Sequence, residues 1–128
     1  MHITDITAWC NIDFYEAYSN PLYYAKNLYL NGELVTDLII PNGVTTIKSY
    51  TFRSCGTTNI TIPDSVTTIG EYTFSGCLNL TSIIIPTSVT RIGKGAFSYC
   101  PKLTIKSNKD NKYVKHYCSL NNINWERI

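Results

Sequence analysis

No stretch of these 128 residues approaches the roughly 20 apolar residues that a membrane-crossing helix needs, and the longest apolar runs, such as Ile83-Ile84-Ile85, stop at proline. Histidine is scarce. His2 and His116 sit at opposite ends of the chain, and neither has a nucleophile beside it that it could activate. There is no C-x-x-C pair among the five cysteines, no His/Cys/carboxylate cluster with ligand spacing, and no G-x-S-x-G, H-E-x-x-H, P-loop or G-x-G-x-x-G. The expectation is therefore no catalytic residue, no metal and no cofactor. Charge is also low, at 16%, against 44% hydrophobic residues, which is the balance of a folded chain and not of a disordered one. Met1-His2-Ile3 leads directly into polar residues, without the basic and then apolar regions of a secretory signal.

The net charge of +2 conceals an uneven distribution. Residues 1–90 carry three bases (Lys26, Lys48, Arg53) against seven acids, and residues 91–128 carry eight bases against only Asp110 and Glu126. One end is acidic and the other basic.

What the chain does have is an internal repeat, a feature that outranks local patterns because it dictates the whole architecture. Residues 38–55, 60–77 and 83–100 superimpose as I-x-I-P-x-x-V-T-x-I-x-x-x-x-F-x-x-C. Pro41, Pro63 and Pro86 recur at intervals of 22 and 23 residues, as do Phe52, Phe74 and Phe97, and Cys55, Cys77 and Cys100. Each unit opens with apolar residues at alternate positions (Leu38/Ile40, Ile60/Ile62, Ile83/Ile85), the pattern of a short strand with one face in a core. Proline lacks the N–H that would continue the ladder, so the strand ends and Asn42-Gly43, Asp64-Ser65 or Thr87-Ser88 turns the chain. The next apolar pair (Val44/Ile47, Val66/Ile69, Val89/Ile92) is spaced by three, which predicts a bulge or bend in a second short strand. Phe and Cys, three apart, share one face of a tight helical or 3₁₀ turn that closes the coil. One such coil cannot bury its own apolar residues; stacked coils bury them on each other. The cysteine spacing follows the repeat, so the three are read as a ladder of buried free thiols. Neighbours come close, but their parallel Cβ vectors make poor disulfide geometry.

These units resemble the BspA-like (Treponema pallidum-type) leucine-rich repeats, whose consensus runs L-x-x-I-x-I-P-x-x-V-x-x-I-G-x-x-A-F-x-x-C. The resemblance covers residues 35–105. It departs at Lys48, where Gly is usual, at Thr51 and Thr73, where Ala is usual, and at residues 55–59, which lack a counterpart of Leu80. The fold class it implies is a β-rich solenoid, a right-handed stack of about three coils with short 3₁₀ or helical turns and a C-terminal capping helix. Residues 1–34 are expected to form an irregular N-terminal repeat. There Cys10-x-Ile12-x-Phe14 alternates, His2-Ile3-Thr4 stands where a strand would run, and a hairpin turns across Asn31-Gly32. Residues 106–128 are expected to form a cap: a helix started by Asn108 or Asp110, with Tyr113, Val114, Tyr117, Cys118 and Leu120 as its apolar stripe, then an edge strand at Ile123-x-Trp125. Family members carry a similar irregular unit between ordinary repeats, so the resemblance implies preceding repeats in a parent chain.

Binding is the function class left open. Three candidate surfaces stand out. Tyr15, Tyr18, Tyr23, Tyr24 and Tyr29 crowd the irregular unit, either as packing or as a protein- or glycan-binding surface. Ile39, Thr61 and Ile84 form an outward row, either a ligand stripe or a face covered by another module. Lys109, Lys112 and Lys115 offer anion contacts or simply the solvated side of the cap, and no recognition helix accompanies them to suggest specific nucleic-acid binding. The resemblance implies an exported, cell-surface adhesion module. A spacer without a ligand and a weak binder of anionic polymers through the basic end are the alternatives.

Overall fold

A computed structural model describes residues 1–16, 18–108 and 110–128. The chain runs β1 (His2–Ile3), α1 (Ile6–Cys10), α2 (Leu22–Ala25), β2 (Tyr29–Leu30), β3 (Glu33–Leu34), β4 (Asp37–Ile39), β5 (Thr46–Ile47), β6 (Asn59–Thr61) and β7 (Thr68–Ile69). It continues through β8 (Ser82–Ile84), β9 (Arg91–Ile92), β10 (Thr104–Ser107), α3 (Lys112–Leu120) and β11 (Asn124–Arg127). The result is a β-solenoid of about four turns. One long sheet, ordered β11-β10-β8-β6-β4, and a shorter one, β5-β7-β9, are both wholly parallel, as successive turns of one coil require.

Register carries the repeat into space. Leu38, Ile60, Ile83 and Ile105 stand side by side in the long sheet, and Ile47, Ile69 and Ile92 in the short one, all buried. Phe52 and Phe74 stack at 5.9 Å between centroids and 6°, and Phe74 and Phe97 at 5.4 Å and 17°. The return segments are hydrogen-bonded coil to coil as well, from Phe52 N–H to Thr73 O at 3.0 Å and from Phe74 N–H to Ala96 O at 2.8 Å. Each return segment is a run of turns interrupted by left-handed residues at two equivalent places. These are Tyr50, Tyr72 and Gly95, then Ser54, Gly76 and Tyr99.

The spacing of three between Val and Ile needs no bulge. Pro41, Pro63 and Pro86 each accept at their carbonyl the N–H of Val44, Val66 or Val89, so valine closes the turn and the strand that follows is only two residues long. The departures from the consensus also find their reasons. A Cβ on Gly70 would lie 2.6 Å from Ser49 N, and one on Gly93 2.6 Å from Glu71 N, so each glycine is demanded by the coil before it. Before Lys48 there is only the irregular loop, and the long side chain fits. Thr51 and Thr73 return their hydroxyls to Lys48 O and Gly70 O at 2.7 Å, and Thr57, in the place of Leu80, donates to Thr36 O at 2.6 Å. Buried hydroxyls are thereby satisfied.

At the N-terminal end the alternation Cys10-x-Ile12-x-Phe14 is not a strand. Asp5 accepts from Thr7 N at 2.8 Å and Ala8 N at 3.2 Å and starts α1, which buries Ile6, Trp9 and Cys10 against the first coil. Ile12 is left exposed. The expected hairpin is present, with β2 and β3 antiparallel and Asn31 and Gly32 both at positive φ. In place of a preceding coil's backbone, Trp9 Nε1 and Asn20 Nδ2 donate to Thr51 O at 2.9 and 2.8 Å. At the other end Tyr113 Oη accepts Ile92 N–H at 2.8 Å, and β11 closes the long sheet. Helix α3 is capped by Asn111, which accepts Val114 N–H at 3.2 Å, and not by Asn108 or Asp110; Asn108 instead folds back onto Asp110 N. Tyr113 and Leu120 leave the expected apolar stripe, 40% and 69% exposed, because both lie to one side of the Val114–Cys118 face that the core covers.

Two expected outcomes test the stacking. Phe74→Ala, in the middle of the ring column, should cost about 3–5 kcal/mol in a urea titration, and a variant as stable as the parent would refute the column. Gly93→Ala should cost about 1–3 kcal/mol, because the added carbon meets backbone that cannot turn aside.

Candidate functional site

A groove of about 650 Å³ lies over the short sheet. Its floor comes from equivalent positions in three coils: Thr46, Thr68 and Arg91; Lys48, Gly70 and Gly93; Ser49, Glu71 and Lys94. Asp13, Phe14 and Tyr15 form a wall at the N-terminal end. Lys48 is what holds that wall in place. Its Nζ lies 2.8 Å from Asp13 Oδ1 and donates to Asn11 O at 3.1 Å, reaching the loop from the position that carries glycine in the next two coils. Phe14 packs on the buried Trp9 at 5.4 Å between centroids, which leaves Tyr15, 90% exposed, at the rim. Among the described residues Glu71, Arg91 and Lys94 make no ion pair, so their charges face the groove and the solvent.

The residues singled out in the sequence do not converge on one place. Tyr15 borders the groove. Tyr18, Tyr23 and Tyr24 form a separate edge-to-face cluster, Tyr18 to Tyr23 at 4.8 Å and Tyr23 to Tyr24 at 5.0 Å, with Lys26 and Arg53 both over the Tyr23 ring. Tyr29 stacks on His2. Ile39, Thr61 and Ile84 do form an exposed row on the outer face of the long sheet, extended in register by Lys106 and Glu126. Lys112 and Lys115 are exposed on α3, where Lys115 Nζ lies over the Trp125 ring, and Lys109 lies outside the described residues. The floor residues Glu71, Arg91 and Lys94 were not anticipated. A signal for them existed, since positions 46/68/91 and 49/71/94 are where otherwise equivalent units differ.

Residues 24–128 match, in six copies, the family described as BspA type leucine rich repeat region. Searches of curated proteins and of solved structures gave no match. Among the described residues, no group of three His, Cys, Asp or Glu side chains gathers where a metal ion could be held, and no helix is long and apolar enough to cross a membrane.

All five cysteines are free thiols. Burial pushes the thiols of Cys10, Cys55 and Cys118 from 9.0 up to about 11, helped at Cys10 by Asp5 and opposed at Cys55 by backbone N–H groups. A thiol that keeps its proton in the fold but loses it in the unfolded chain favours unfolding only where the two differ. Their contribution is therefore intact below about pH 9 and is lost as pH rises toward about 11. Urea titrations on either side of that window should show stability falling with alkali, and a Cys55→Ala variant should lose less of it than the parent.

Proposed function

The chain belongs to the BspA type leucine-rich-repeat family, and from that premise we propose that it is a non-catalytic binding or adhesion module of a cell-surface protein, with a protein or glycan segment as ligand. The observation that carries this reading is the groove over the short sheet. Its floor is rigid, because three coils and their hydrogen-bonded neighbours define it, and a preorganised surface spends little ordering entropy on binding. Its chemistry suits recognition: an exposed aromatic at one end, unpaired cations at the other, and a glycine floor on which a ligand can lie close to backbone. No histidine or cysteine lines it. The location is taken from the family, whose members are mostly exported to the cell surface.

The test is a protein and glycan array followed by variants that separate the surfaces. Tyr15→Ala combined with Arg91→Glu should weaken a saturable ligand at least ~10-fold, the loss expected for an aromatic or arginine anchor. Tyr23→Ala/Tyr24→Ala and Ile39→Ser/Ile84→Ser should leave it unchanged. If instead one of those pairs abolishes binding, the ligand sits on the tyrosine cluster or on the outer row and the groove is not the site. Salt-sensitive heparin binding lost with Lys112 and Lys115 would assign the anionic-polymer reading, and no ligand at all would favour a spacer, for which the acidic and basic ends are suited.

A further inference from the structure

We propose that Cys77 and Cys100 are a peroxide-sensitive thiol pair, in which Cys100 is the sulfur attacked first and Cys77 the sulfur that resolves it into a disulfide joining two coils. Three observations converge. Among the described residues Cys100 is the cysteine that is not fully buried, and it lines a pocket of about 330 Å³ between the last return turn and the cap, together with Phe97, Tyr99, Tyr117 and Ile123. Small oxidants can therefore reach it, whereas Cys55 and Cys77 are enclosed by neighbouring coils. Cys77 stands in the equivalent place one coil away. There the coils are drawn close, with Ser75 and Ser98 Oγ atoms 2.7 Å apart and Gly76 N–H donating to Ser98 O at 2.8 Å. The two thiols also hold equivalent partners, Cys77 donating to Phe52 O at 3.4 Å and Cys100 to Phe74 O at 3.2 Å.

The environment also sets the order of events. The neighbouring Cys77 side chain holds Cys100 below its ordinary value, aided by the backbone at Cys77 and Gly76 and opposed by burial, while the proximity of Cys100 together with burial pushes Cys77 well above its own. Thiolate, not thiol, attacks an O–O bond. Cys100 sulfur takes one peroxide oxygen, the O–O bond breaks and hydroxide leaves, giving a sulfenic acid. Cys77 sulfur then displaces that hydroxyl, and the S–S bond forms as the Cys77 proton leaves with it as water. Two thiols lose two electrons and two protons in all, and one hydroperoxide is reduced. Parallel Cβ vectors oppose a disulfide between equivalent residues of stacked coils, so one side chain must turn. Cys100 can, because the pocket and the exposed Pro101-Lys102 turn lie beside it. Cys55 and Cys77 have no such room.

The experiment treats the reduced whole chain with substoichiometric hydrogen peroxide, with and without a sulfenic-acid trap, and maps the peptides without reduction. Cys100 should be trapped at least ~10-fold faster than Cys10, Cys55 or Cys118, the ratio that one pKa unit gives in thiolate population. Without the trap, a Cys77–Cys100 linked peptide two hydrogens lighter should accumulate, and the oxidised chain should melt at higher temperature. Cys77→Ser should leave the Cys100 sulfenic acid long-lived. Uniform oxidation of all five thiols, a Cys55–Cys77 link, or Cys100 passing to sulfinic acid with no cross-link would each overturn the proposal. The parent-chain map decides this even if a variant fails to fold.

Discussion

Close, in-register contact between equivalent residues of successive coils is the interaction on which everything else in this protein rests. It is a double contact. Backbone N–H and C=O groups pair between coils along both sheets and along the return turns, while Ile, Val, Phe and Cys side chains meet their own counterparts inside. Because each coil is too thin to hide an apolar residue by itself, burial and backbone pairing arise together or not at all, and stability is a property of neighbouring pairs. The narrow spacing also explains the strict places. Glycine at residues 70 and 93 is needed because backbone from the previous coil occupies the space a Cβ would take.

A stack built on neighbours must end somewhere, and an open ladder is a template for unwanted pairing. Here the ends are closed by side chains whose polar atoms stand in for the missing coil. Trp9 and Asn20 donate to the Thr51 carbonyl, which in the next coil would receive a backbone N–H, and Tyr113 accepts the Ile92 N–H that would otherwise point to a further coil. Tryptophan and tyrosine suit the task because each brings a large apolar body to cover the core and a single polar atom to meet the ladder.

Outward positions escape these demands. They can vary from coil to coil without disturbing the core, and the groove over the short sheet gathers such positions beneath a wall held by the Lys48–Asp13 pair. That ion pair is half exposed and adds little to stability by itself; its consequence is where it puts Tyr15. Irregularity in the first coil thus becomes shape at its surface.

How much of this was legible beforehand follows from the range of each interaction. The repeat, the two strands per coil, the phenylalanine column, the Asn31-Gly32 hairpin and the cap of helix plus strand could all be read from residues, because each depends on local pattern or on a period that every unit obeys. The N-terminal helix was hidden: Cys10, Ile12 and Phe14 alternate like a strand, and the short helix that Asp5 caps is fixed by docking of Trp9 under the Thr51 carbonyl, 42 residues away. Nor could the chain reveal that the tyrosines divide among three places, or that Arg91 and Lys94 share a groove with Asp13, since no period connects the irregular unit to the coils. The sequence by itself determined that coils stack and which residues line their interior, because that follows from identical units burying identical faces. Tertiary structure alone decided how the ends close and where the surface becomes concave, because those depend on single side chains reaching across long stretches of chain.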